Sequence, residues 1–555
     1  MSVSEHPLLT RHTPVLSAAR QALAARSYYS RYPESPSPRV YGEGAAERGQ
    51  QAFEALLAND FELDQPADGL VEGSEVSPYG PALRVRYPRL DLDAGLAAAR
   101  AATPAWRDAG PAVRAAVCVE IVDAINRRSF ELANAVMHTS GQAFVMAFQA
   151  GGPHAQDRAL EAVAAALAEQ ERVPASVVWE KPGRGEPVRM RKDYRVVPRG
   201  VALVVGCNTF PTWNAYPGLF ASLACGNPVV VKPHPRAVLP LAITVAAARE
   251  VLREAGFDPA LVQLAAEPDG GGLALTLARR PEVAIIDYTG GPSFGQRLEA
   301  EGAAAGKLVY TEKSGVNAVV VDSFPDEPAA LANLAFSLVL YSGQMCTAPQ
   351  NIYLPRSQVD AVSASLAAAI GRLTADDARA VELLGALVND DVRRRAVDLP
   401  VLAQRLGGRV VLDTREVRHA AYPDAVIRTP GLVALDVADA AAYSQECFGP
   451  VAFLIGTDST EQSLARMRDS IREHGGMTAA VYSTSAEVLE AAREAAAEAG
   501  VALSENLQDG IYVNQTAAFS DYHGTGANPA ANAAYTDAAF VASRFRVVTA
   551  RRHLP

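Results

Sequence analysis

Between residues 201 and 322, fully apolar strands alternate with helical stretches, and this alternation limits the possible folds more than any other feature of the chain. Strands are expected at 201–206, 229–232, 261–265 and 283–287, with helices over 217–224, 240–255 and 293–304. Strands apolar along their whole length have both faces covered, which describes a parallel sheet sandwiched by helices. A second run of the same kind extends from 312 to about 514, with strands at 318–321, 451–455 and 479–482. The fold class is therefore α/β, with two doubly wound parallel-sheet domains. Upstream, 92–102, 111–126 and 129–139 carry apolar residues three and four apart and read as helices. Residues 1–75 hold a Pro/Ser/Tyr-rich stretch and one helical segment near 44–59, and read as an extension lying on the main body. Charged residues around Pro182-Gly183-Arg184-Gly185 mark an exposed hairpin, and Arg544 to Thr549 looks like an edge strand in need of a partner.

Charge and cysteine usage exclude several classes of function. The formal charge is −11, from 51 basic and 62 acidic side chains, which disfavours nucleic acid as a partner. Five scattered cysteines without CxxC spacing fit neither a disulfide framework nor a zinc site, and point to a reducing cytoplasm. The nine histidines show no HxH or HExxH spacing, so no metal is expected. The N-terminus lacks the pattern of a secretory signal, and no apolar run approaches the ~20 residues that span a bilayer, so no membrane partner is expected.

Chemistry is concentrated at four places. Asn208-Thr209-Phe210-Pro211 follows the first buried strand, and Lys232-Pro233 ends the next. Tyr288-Thr289-Gly290-Gly291-Pro292-Ser293-Phe294-Gly295 joins a strand to a helix. Glu312-Lys313-Ser314-Gly315-Val316-Asn317 begins the second α/β run, and Tyr341-Ser342-Gly343-Gln344-Met345-Cys346-Thr347 comes 34 residues after Glu312. Gln445-Glu446-Cys447-Phe448-Gly449-Pro450 closes the series. A lone buried cysteine is more often inert than reactive, and it is the ordered company of Cys346 that singles it out.

This order and spacing resemble the NAD(P)-dependent aldehyde dehydrogenase superfamily from about residue 80 onward; over its whole length the chain looks most like the PaaN-type proteins of phenylacetic acid degradation. The resemblance implies a cytoplasmic homodimer or dimer of dimers. Residues 76–311 would be the cofactor-binding Rossmann-like domain, with an oligomerisation hairpin at about 176–198. Residues 312–514 would be the catalytic domain, and 515–555 a loop and an oligomerisation strand.

It also implies roles. Cys346 would be the nucleophile, Glu312 the general base, and Asn208 an oxyanion-hole donor beside the Cys346 backbone N–H. The family places its asparagine directly before Phe-Pro, where this chain has Thr209, so Thr209 and Asn214 stay open as alternatives. Lys232 and Glu446 would contact the cofactor riboses, Phe448 the nicotinamide, and Gly290 and Gly291 the pyrophosphate, while Gly295 would let a helix pack closely. Pro235 stands where NAD-preferring relatives often carry a ribose-binding glutamate; with Arg236 beside it, NADP is slightly favoured over NAD. The substrate implied is a small-molecule aldehyde, a CoA-linked open-chain semialdehyde. With the chain ending at Pro555, its ring-opening step is expected on another protein. CoA-acylating chemistry and a catalytically silent binding protein are the alternatives.

Overall fold

The computed structural model describes residues 6–313, 315–512 and 517–555. Ser314 of the glutamate motif and Asn514, the expected end of the catalytic segment, lie outside the described residues.

Two parallel sheets organise the molecule. The first has five strands in the order Val262–Leu264, Val229–Lys232, Val201–Val205, Val283–Thr289, Leu308–Glu312, all parallel. Every residue of Val201–Val205 is buried, as its uninterrupted apolar run demands. The chain builds outward from this strand on one side, then crosses to build on the other. Its crossover point, between Val201–Val205 and Val283–Thr289, is where such sheets open a ligand crevice at their strand C-termini. Asn208, Lys232, Gly290 and Glu312 all stand at or just beyond those C-terminal ends.

The second sheet has seven strands, in the order Arg409–Leu412, Gly431–Asp436, Val451–Thr457, Asn351–Pro355, Ala318–Val321, Thr478–Tyr482, Ala502–Glu505. Only Arg409–Leu412 runs antiparallel to its neighbour. Cys346 and Glu446–Phe448 precede adjacent strands of this sheet, Asn351–Pro355 and Val451–Thr457. The two sheets thus bring their functional loops together from opposite sides.

The hairpin forms strands Ser176–Lys181 and Val188–Pro198, and the tail Phe545–Leu554 pairs antiparallel with the second of them. The tail therefore has its edge partner within its own chain. Arg189 and Arg191 of the hairpin are paired with Glu180 and Asp193, and none of the hairpin's basic residues Arg184, Arg189, Arg191, Lys192 and Arg195 lines either cavity described below.

The N-terminal extension is more deeply embedded than its sequence predicts. A helix at Pro7–Ala25, unread because Pro14 interrupts its pattern, buries Leu16, Ala19 and Ala22 in the main core. Arg31 and Tyr32 then hydrogen-bond Asp123 at 2.7 and 2.9 Å. The helix expected at 217–224 starts six residues earlier, at Pro211–Ala224, because Pro211 fits the first helical turn and Pro217 is accommodated inside.

Just before the tail, Arg544 is fully buried and grips Asp287 through two bonds of 2.6 and 2.8 Å, with Phe540 and Tyr310 stacked on its guanidinium. Arg544→Met leaves the Asp287 carboxylate in the core without its partner. The expected loss is about 3–5 kcal/mol of stability, read in a thermal or denaturant melt. An unchanged melt would show that the pair contributes nothing net.

Candidate active site

The loop bearing Cys346 is fixed by its backbone. Helix Glu327–Val339 is capped at its start by the Asp326 carboxylate, which accepts from the Ala329 N–H. The chain then turns through Tyr341 and Ser342, both at φ 53°, a left-handed conformation unusual for residues with side chains. Neighbours hold the turn: the Tyr341 hydroxyl donates to the Ser140 carbonyl, and the Ser342 hydroxyl to that of Gly385 at 3.0 Å. A Cβ on Gly343 would come within 2.5 Å of the Gly449 carbonyl oxygen, so only glycine fits there. The Asn317 amide donates to the carbonyls of Cys346 and Ala348, 2.8 Å each, and accepts from the N–H groups of Met477 and Thr478. Asn317 therefore ties the cysteine loop to the strand that follows Glu312.

Glu312 is buried, and its Oε2 meets the Asn214 amide at 3.2 Å and His523 Nε2 at 3.0 Å. Glu312, Cys346 and His523 bring one ligand-type atom each within 4.8 Å of one another. Thiol, imidazole and carboxylate are also donors that zinc takes, so these are the residues here able to hold a metal ion. Burial first, and then the facing Glu312 carboxylate, push the Cys346 thiol well above its ordinary pKa. Burial alone would favour protonated Glu312, yet the His523 imidazole, with smaller help from Cys346 and Tyr535, holds its pKa below the usual range. The pair is thus poised as a protonated thiol beside an ionised base.

His523 is a residue of this site that the sequence analysis does not single out. Its side chain is 2% exposed, edge-on to Trp213 with ring centroids 4.5 Å apart.

A cavity of 470 Å³ opens over the C-terminal ends of the first sheet. Asn208, Lys232, Gly290, Gly291, Glu312, Cys346, Glu446 and Phe448 all line it. At Gly291, which begins helix Pro292–Ala304, an added Cβ would meet nothing within 4 Å. This helix start therefore leaves open space where a pyrophosphate could approach backbone N–H groups. Gly295 has a packing role: a Cβ there would press within 2.8 Å of Lys313. The buried Lys232 ammonium is paired with Glu267 at 2.5 Å. These residues fit a dinucleotide.

Two expected residues stand differently. Asn208 donates its amide to the Thr139 carbonyl at 2.8 Å, which engages one of its two N–H bonds. Arg236 does not line this cavity; it borders a neighbouring one and is paired with Asp269 at 2.9 Å. The sequence places Arg236 four residues beyond Lys232, but not the aspartate that draws it aside.

A second cavity, of 320 Å³, reaches Cys346 from the other side. Its wall is mostly apolar, with Met146, Phe210, Trp213, Phe336 and Tyr512, the last two stacked at 4.0 Å. Glu34, from the N-terminal extension, and Glu382 also line it, and Glu34 is bonded to His154 at 2.7 Å.

A parallel-sheet crevice and a second cavity thus meet at one cysteine with a buried carboxylate beside it, an arrangement with room for two ligands. The aldehyde dehydrogenase family model matches residues 86–527, and the chain belongs to that family. It is an oxidoreductase acting on aldehydes with NAD(P). An NAD-dependent aldehyde dehydrogenase from Burkholderia multivorans has a similar crystal structure, at 55% identity and a TM-score of 0.96, with 99% of each chain covered. Betaine aldehyde dehydrogenase 2 of Rhizobium meliloti is 26% identical over 68% of this chain and 74% of its own length. Vanillin dehydrogenase of Pseudomonas fluorescens is 27% identical over 71% and 77%. Among the described residues, no helix is long and apolar enough to cross a membrane.

Proposed function

We propose that the chain oxidises a free aldehyde bearing an apolar chain or ring to the carboxylic acid, with Cys346 as nucleophile and water as the final acyl acceptor. The observation that carries this is Glu312, buried and ionised beside the Cys346 thiol at the junction of the two cavities. Glu312 takes the thiol proton, and the thiolate adds to the aldehyde carbon to form a thiohemiacetal. The Cys346 backbone N–H and the remaining Asn208 amide N–H stabilise its oxyanion, each worth roughly 3 kcal/mol in such sites. NAD(P) held by Lys232, Gly290, Gly291, Glu446 and Phe448 supplies the hydride acceptor. After that first proton has passed to solvent, Glu312 deprotonates the water that attacks the thioester, and hands this second proton to the leaving thiolate as the acid is released.

The finer substrate implied by the PaaN-type resemblance is a CoA-linked semialdehyde of phenylacetate catabolism. Its acyl end would have to enter the 320 Å³ cavity while its phosphates remained outside, and the Glu34 and Glu382 carboxylates oppose that anion. The apolar wall favours a compact, uncharged aldehyde. Reduced-cofactor formation with benzaldehyde, phenylacetaldehyde, an alkanal and a CoA-linked semialdehyde, each with and without free CoA, tests this. Turnover confined to the CoA-linked aldehyde would overturn the substrate class, and turnover requiring free CoA would overturn the hydrolytic route.

NAD is the cofactor this geometry favours. Glu267 brings a carboxylate into the cavity, where it already engages the Lys232 ammonium, and Arg236 is engaged outside it, so a 2′-phosphate would meet a carboxylate without an arginine to offset it. NAD should be preferred by at least about tenfold in kcat/KM, the equivalent of roughly 1.4 kcal/mol. Because the Arg236–Asp269 pair is exposed, Arg236→Ala should change either cofactor by less than about twofold. A selective loss of NADP use in that variant would restore a phosphate-binding role to Arg236.

A further inference from the structure

We infer that Tyr29 and Arg26, in the N-terminal extension, are positioning residues for the aldehyde side of this site: they clamp the loop 517–523 and so set where His523 meets Glu312. The inference rests on the assignment of Cys346 and Glu312 made above, and deepens it.

The loop needs a hold from outside itself. Phe519 is fully buried yet sits at φ 68°, in the left-handed region that bulky side chains rarely adopt. Such a conformation persists only where its surroundings over-determine it. The extension supplies part of those surroundings. Tyr29 meets Phe519 edge-on, with ring centroids 5.3 Å apart. Arg26 lays its guanidinium carbon 3.6 Å from the centre of the Tyr522 ring and is bonded to Glu161 at 3.4 Å. A cation over an aromatic face is a directional contact, so it fixes a ring that is otherwise half in water. Glu161 is also paired with Arg158, which donates to the Asp521 carbonyl at 3.5 Å and lies 5.2 Å from the Trp213 ring. Tyr29 is anchored in turn, because the Ser30 hydroxyl and the Arg31 N–H both donate to the Asp157 carboxylate, at 2.6 and 3.0 Å.

The far end of the same loop lies in the site. His523 Nε2 is 3.0 Å from Glu312 Oε2, its ring is edge-on to Trp213, and its carbonyl accepts from the Tyr535 N–H at 3.0 Å. His523 and Trp213 wall the aldehyde cavity, where Glu34 of the extension joins them. Arg26, Tyr29, Phe519 and Tyr522 do not line the cofactor cavity. Without the Tyr29 ring, Phe519 is free to relax to an ordinary φ, and that rotation shifts the chain carrying His523. Glu312 then keeps its bond to Asn214 but loses its fixed partner on the same oxygen. The cysteine loop stays where Asn317 and the Tyr341–Ser342 turn hold it. Loss of the clamp therefore moves the base relative to the thiol and leaves the dinucleotide contacts alone.

Three variants of the full-length protein test this. Tyr29→Ala removes the ring, Tyr29→Phe keeps it, and Arg26→Met keeps the reach of the side chain without its charge. Tyr29→Ala should lower kcat/KM for benzaldehyde about tenfold or more while the Kd for NAD changes less than about twofold, since small misplacements cost rate at the reacting centre. Arg26→Met should show the same pattern with a smaller loss. Amide hydrogen exchange, read by mass spectrometry, should quicken in peptides covering 517–523 in both variants. Tyr29→Phe should restore the kinetics and the protection together. Kinetics unchanged despite faster exchange, NAD affinity lost in step with aldehyde turnover, or phenylalanine as impaired as alanine would each overturn the clamp. Should Tyr29→Ala fail to fold, Arg26→Met, altered at a side chain partly open to solvent, is judged by the same outcomes. If the wild type itself turns over no aldehyde with NAD, it is the proposed function that fails, and the clamp stands or falls on the exchange of 517–523.

Discussion

Cys346→Ala is expected to abolish aldehyde oxidation while the protein still folds and still binds its cofactor. The loop is positioned through the backbone: Asn317 holds the Cys346 carbonyl, and Tyr341 and Ser342 fix the turn before it. None of those bonds involves the thiol. Removing one sulfur beside Met477, Ala530 and Ala531 should therefore cost about 1 kcal/mol or less. Loss of the nucleophile removes the covalent route entirely, so turnover should fall on the order of 10⁴-fold or more. Reduced-cofactor absorbance, a thermal melt and cofactor titration together check the prediction. Turnover retained above about one-tenth of wild type would exclude covalent catalysis at this residue.

The same argument predicts which thiol reacts first. Burial raises the pKa of all five cysteines; Cys207 and Cys225 are pushed up to about 12, and Cys447 to about 11. Cys207 also feels the Glu312 carboxylate, but what separates Cys346 is a direct hydrogen bond to it, along which its proton can pass. Iodoacetamide should therefore label Cys346 ahead of the other four, and Glu312→Gln should slow that labelling.

Elements with a strong local pattern were legible in the sequence. The all-apolar strands, the glycine turn before Pro292 and the spacing of Glu312 from Cys346 are written in neighbouring residues, and the sheets and the main cavity follow from them. Contacts between distant segments were not legible. Nothing near Arg236 reveals that Asp269 engages it, and nothing near Asn208 points to the Thr139 carbonyl. His523 stands between Tyr522 and Gly524, a setting that reads as solvent-exposed loop. Its burial is made by Trp213, Tyr535 and Glu312, from three other parts of the chain. The one local signal was a histidine followed by Gly-Thr-Gly, where φ of +67° at Gly524 and +70° at Gly526 lets the chain double back under the site. Likewise the extension's carboxylate at Glu34 reaches the aldehyde cavity only because Arg31 and Tyr32 anchor the preceding turn on Asp123.

Glu312→Gln should separate the two halves of the reaction. The amide keeps the size of the carboxylate and can still accept from Asn214 and His523, so the site should keep its shape. It cannot take a proton. Thiolate formation then slows, but it needs only one proton to leave in each encounter, and raising the pH supplies that route. Deacylation is hit harder, because water is a poor nucleophile without a base to remove its proton as it attacks. The thioester should therefore accumulate. Mixing enzyme, cofactor and aldehyde should give a burst of reduced cofactor approaching one equivalent per active site, followed by turnover slowed about 10²–10⁴-fold. Raising the pH should recover part of the slow phase, since hydroxide attacks without a base. Intact-protein mass measured during the slow phase should show Cys346 carrying the acyl group. Steady-state turnover equal to wild type, with no acyl adduct, would reduce Glu312 to a structural carboxylate.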